Sequence, residues 1–120
     1  MAALAGHTIL IVDSEPMIAL DLADCLLDEG ANTVVATTID DAIQRAVEPV
    51  LSGALLDHRL GTQTTEALCT TLHKRGVPFL VYAECPQDPR EGGGFLGKPV
   101  PRDTLVAAMT KALARGQIPA

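Results

Sequence analysis

The sequence predicts a single α/β domain in which helices cover both faces of a parallel sheet. Three observations carry this. Short β-branched runs alternate with amphipathic stretches along the chain, the signature of repeated βα units. The 120 residues fit one domain, 1–120, and no more. Hydrophobic residues make up 48% and aromatics only 2%, so the core must be built from Leu, Val, Ile and Ala.

Each element follows in order. Thr8–Val12 (TILIV) is a compact run for a strand buried on both faces. Glu15–Glu29 is a helix with Ile18, Leu22, Cys25 and Leu26 at helical spacing. Ser14 suits its N-cap, Pro16 its first turn and Gly30 its C-terminal end. Thr33–Ala36 reads as the second strand. Asp40–Glu48 reads as a helix with Ile43, Ala46 and Val47 inward, stopped by Pro49. Gly53–Leu56 is the third strand, ending at Asp57. Thr65–Arg75 is a helix with Leu68 and Leu72 one turn apart, closed by Gly76. Pro78–Ala83 is the fourth strand and Gly94–Gly97 a short fifth. Pro101–Arg115 is a last helix with Leu105, Val106, Met109 and Leu113 inward.

Five strands in this alternation make the flavodoxin-like, doubly wound order 2-1-3-4-5 the default. One connection breaks the pattern. Residues 84–92 (ECPQDPREG) hold two prolines and a glycine, so the helix between strands four and five is expected to be shortened or absent.

Charge and cysteine usage exclude several classes. A net charge of −6, with nine scattered basic residues, argues against a nucleic-acid or anionic-membrane surface. Cys25, Cys69 and Cys85 form no CxxC pair and are odd in number, which suits a reducing cytosol rather than a disulfide framework. Met1–Gly6 lacks the features of a signal peptide, and no apolar run approaches the length of a membrane helix. A cytoplasmic domain is the expectation.

In an open α/β sheet the site lies beyond the C-terminal strand ends, where the strand order reverses. Asp13 and Glu15 follow strand one, Asp57 ends strand three, and Lys98-Pro99 follows strand five. Clustered carboxylates repel one another and favour a hard divalent cation such as Mg²⁺. A lone Lys can neutralise a phosphoryl oxygen as a compact point charge. These are the parts for in-line transfer of a phosphoryl group onto a carboxylate.

At these residues the chain resembles the response-regulator receiver domain of two-component signalling. ILIVDSEPMIALDLADCLLDEG resembles its opening, ALLDHRLG the segment around its phospho-acceptor, VPFLVYAE its fourth strand and FLGKP its Lys-Pro turn. The resemblance implies Asp57 as phospho-acceptor from a histidine kinase or phosphotransfer protein, and Lys98 as the contact to the phosphoryl oxygen. It implies Mg²⁺ near Asp13, Asp57 and the backbone carbonyl of Arg59, with Glu15 as a further candidate ligand. It implies a cis Lys98–Pro99 peptide and an aromatic switch position at Phe95.

Two departures from the family pattern matter. Ser14 stands where the family usually has a second Asp, which should weaken Mg²⁺ binding. Ala83 stands at the switch position where the family has a Ser or Thr, so the usual hydrogen bond to the phosphoryl group is missing. The resemblance therefore implies a non-enzymatic acceptor, at most promoting its own phosphorylation and dephosphorylation, that signals through a downstream protein partner. A phosphorylation-independent interaction module is the alternative, and a homodimer through the first or last helix would suit either. An aspartate-nucleophile phosphatase of the haloacid-dehalogenase type would want DxD at the nucleophile, where this chain has Asp57-His58-Arg59.

Overall fold

The computed structural model describes residues 4–57, 59–60, 63–64, 66–83, 93–97 and 101–114. In chain order these form β1 (Thr8–Val12), α1 (Pro16–Leu27), β2 (Asn32–Ala36), α2 (Ile39–Ala46), β3 (Gly53–Asp57), β4 (Arg59–Leu60), β5 (Gln63–Thr64), α3 (Glu66–Lys74), β6 (Phe79–Ala83), β7 (Gly93–Gly97) and α4 (Arg102–Ala114). The main sheet runs β2-β1-β3-β6-β7, with every pairing parallel. The α/β class with a parallel sheet and four helices is as the sequence predicts. A two-stranded hairpin, β4–β5, directly follows the central strand, and the hydrophobic pattern gave no hint of it. The connection over residues 84–92 lies outside the described residues.

Strand alternation sorts the core into two layers. Leu10, Val12, Leu56, Phe79 and Val81 pack with Ala42, Ala46, Leu68 and Leu72 of α2 and α3. Ile9, Ile11, Leu55, Leu80 and Tyr82 pack with Ala19, Ala23, Leu26, Leu105 and Met109 of α1 and α4. Burial of both strand faces explains why the strands read as unbroken apolar runs rather than as alternating ones.

Helix ends show local chemistry at work. Gly30 and Gly76 adopt positive φ, +93° and +71°, the left-handed conformation that a Cβ would disfavour. At each, two backbone bonds close a Schellman motif. Ala31 and Gly30 donate to the carbonyls of Leu26 and Leu27, at 3.1 and 2.9 Å. Val77 and Gly76 donate to those of Leu72 and His73, at 2.9 and 3.0 Å. The residue after each glycine, Ala31 or Val77, is buried, as is the leucine whose carbonyl it caps. These two glycines end their helices as expected from the sequence.

Three readings need correction. Ser14 does not cap α1. Glu15 holds the N-cap place with extended backbone, and no side chain caps the helix. Val47 does not face inward; it is 54% exposed, because α2 ends one residue earlier and Ala42 and Ala46 fill the inner face. On α1, Ile18 is 41% exposed and the buried positions are Ala19, Ala23 and Leu26. Ala19 and Ala23 face the sheet beside Leu26, while Met17, Ile18, Leu20 and Leu27 turn outward.

Candidate functional site

Parallel pairing places three side chains at one end of the sheet. β1 and β3 run in register as far as Val12 opposite Leu56. Continued by one residue, that register brings Asp13 beside Asp57. β3 and β6 pair Asp57 with Tyr82. Asp57 and Tyr82 each follow by two residues a core leucine of the α1–α4 layer, Leu55 and Leu80, and so point to the same side of the sheet.

Asp13 is fully buried and Asp57 is 8% exposed; they are the buried charged residues among those described. Both oxygens of Asp13 accept hydrogen bonds. Oδ1 accepts from the Glu15 N–H at 2.8 Å, and Oδ2 accepts a short bond from the Tyr82 hydroxyl. The first bond folds the chain back at the β1–α1 junction, as short Asp side chains commonly do. The second is a charge-assisted bond between buried groups, a strong type. Burial, then the bond to Asp13, then the charges of Asp13 and Asp57 push the Tyr82 phenol well above its usual range near 10. The hydroxyl therefore keeps its proton and acts as a donor at any physiological pH.

The remaining expected residues are placed less fully. Ser14 and Glu15 are exposed at the start of α1. Arg59 lies two residues past Asp57, in the backbone of β4. Ala83 closes β6 opposite Gly97, and Phe95 pairs with Val81 from β7. The side chains of Arg59, Ala83 and Phe95 lie outside the described part of the structure, as do Lys98 and Pro99 entirely. The sequence analysis assigned Tyr82 no role beyond its place in the fourth strand and so missed its part in the site. The available signal was chemical: a buried tyrosine needs a partner for its hydroxyl. The partner lies 69 residues away, on another strand.

No protein-family model matches the chain, and no curated protein sequence matches it. Solved structures do match. A response regulator receiver protein from Sinorhizobium medicae WSM419 superposes with a TM-score of 0.84 at 18% identity, over 93% of this chain and 98% of that one. A CheY-like receiver domain from Methanospirillum hungatei JF-1 gives 0.83 at 21% identity, over 92% and 95%. The fold is that of a response-regulator receiver domain. The receiver domain of a sensor histidine kinase from Pseudomonas aeruginosa PAO1 gives 0.79 at 21% identity, over 92% and 99%, and holds a magnesium ion coordinated in its active-site cleft.

Within this receiver fold, the donor set of the chain itself can be tested against such an ion. Two adjacent buried carboxylates have the chemistry of a hard-cation site. Yet both Asp13 oxygens are already engaged, and among the described residues no three His, Cys, Asp or Glu side chains come together to hold a metal. The arrangement described is not a formed metal site. Among the described residues, no helix is long and apolar enough to cross a membrane.

Proposed function

We infer that the chain is a two-component receiver that accepts a phosphoryl group at Asp57 and signals by changing its affinity for a protein partner. The observation that carries this reading is the pair of nearly water-free carboxylates, Asp13 and Asp57, at the C-terminal ends of the two central strands of a receiver fold. Such strand ends are where open α/β sheets place their ligands. In the proposed step an Asp57 oxygen attacks the phosphorus of a partner phosphohistidine in line. The N–P bond breaks as the O–P bond forms, and the bonding pair returns to the imidazole nitrogen. Lys98 contacts the phosphoryl oxygens.

Mg²⁺, when bound through Asp13, Asp57 and the Arg59 carbonyl, supplies charge neutralisation at the transferring group. Glu15 is a further candidate ligand. Binding is weak in this reading, because Ser14 contributes no carboxylate. Switching is impaired, because Ala83 offers no hydroxyl to work with Phe95. The partners are a histidine kinase or phosphotransfer protein and a downstream protein, in the cytoplasm.

The test is intact mass after incubation with a small-molecule phosphodonor and Mg²⁺, with Asp57→Asn and metal-free controls. The expected result is a metal-dependent phosphoryl adduct that Asp57→Asn abolishes. A folded wild-type chain that gains no adduct overturns the reading. It would favour the second one, a phosphorylation-independent interaction module, which the engagement of Asp13 by Tyr82 supports.

A further inference from the structure

The disagreement between the carboxylate pair and a formed metal site has an identifiable cause in the chain itself. Asp13 is fully buried, so it needs its charge compensated from within. Two donors supply that compensation. The Glu15 N–H is a local contact, two residues away along the chain. The Tyr82 O–H comes from β6, across the intervening strand β3, and takes the other oxygen. Tyr82 is itself 2% exposed, so its hydroxyl has little access to water if it leaves Asp13.

We propose that Tyr82 is a positioning residue that latches Asp13. Its hydroxyl satisfies the oxygen that a divalent cation would otherwise share, and the cation binds only when that hydrogen bond opens. This rests on the reading that Asp13 and Asp57 form the metal-assisted acceptor pair. It locates the weakness of the metal site in a protein hydroxyl that competes for Asp13, in addition to the missing carboxylate at Ser14. The competition has a definite size. A hydrogen bond to a charged group is worth enough that removing it should tighten cation binding by roughly tenfold or more.

The chain contains its own reporter, because Tyr82 is its single tyrosine and there is no tryptophan. A phenol that donates to a carboxylate loses emission by passing its proton in the excited state, so release of the latch should brighten the protein. The experiment is an Mg²⁺ titration of the wild-type chain and of Tyr82→Phe, both followed by backbone amide shifts, with wild-type tyrosine emission recorded in parallel. Phe keeps the ring and removes only the hydroxyl, and a thermal melt confirms that the variant is folded.

The expected result is metal affinity roughly tenfold or more higher in Tyr82→Phe, and wild-type emission that rises in step with metal occupancy. Equal affinities in two folded chains overturn the proposal, as does the absence of binding in both. Should Tyr82→Phe not fold, the wild-type titration decides alone: metal uptake with rising emission supports the latch, while uptake without it, or no uptake, overturns it. The phosphoryl adduct at Asp57 is read separately by mass. The latch can therefore fail while the acceptor reading stands, and the reverse.

Discussion

The two faces of the sheet are built from the same kinds of residue and end differently. On the α2–α3 face the strands stay apolar to their ends: Val12, Leu56 and Val81 are all fully buried hydrophobic residues. On the α1–α4 face the same strands carry Ile11, Leu55 and Leu80, and then Asp13, Asp57 and Tyr82. One face is committed to packing. The other packs for most of its length and, over its last rung, buries two carboxylates and a phenol. Burying charge is unfavourable unless it is hydrogen-bonded or paired. The contrast separates a layer that only packs from one that gives up some stability to bury polar groups.

That contrast can be broken most strongly from the apolar side. Leu56→Ala, at a fully buried site between Val12 and Val81 in register, should cost about 2–5 kcal/mol in a denaturant melt. Whatever chain remains folded should accept a phosphoryl group normally. If acceptance per folded molecule fell, the faces would not be separable.

On the other face the expected effects are smaller and depend on pH. Tyr82 holds its proton more tightly when folded than when unfolded. The unfolded chain therefore releases that proton first, as pH rises through about 10. Below that pH Tyr82 should add no pH dependence to stability. Above it, stability should fall by up to about 1.4 kcal/mol per pH unit relative to Tyr82→Phe. Paired melts of the two chains across alkaline pH isolate this term from the titration of lysines. Parallel curves would mean that the phenol is not held in its donor state.

The smallest expected effect has the opposite sign. Asp57→Asn removes one of two adjacent negative charges and leaves both hydrogen bonds to Asp13 in place. It should raise stability at neutral pH by about 1 kcal/mol, the scale of a like-charge pair on neighbouring strands. A loss of stability would show that the charge on Asp13 is fully compensated by its two donors.

Much of this was legible along the chain because it is local. Gly30 and Gly76 end their helices for a reason contained in one residue, the absence of a Cβ. Asp13 and Asp57 were legible as strand-end acids because each follows a run that can only be a buried strand. The errors have a common cause. Ser14 is a good cap by type, but Asp13 takes the Glu15 N–H and the helix starts from Glu15. Val47 fits the helical period, but the helix ends at Ala46, and Val47 is left exposed. In both cases a neighbour's geometry overrode a sound local preference.

By itself the sequence determined the α/β alternation, the aliphatic core, the helix-closing glycines and the two acids at strand ends. Each depends on residue type and short-range spacing. Only the tertiary structure decided that Tyr82 stands in register with Asp57 and gives its hydroxyl to Asp13. A parallel sheet pairs strands that are far apart in the chain, so the register across three strands, which brings these groups together, is written in no single stretch of it.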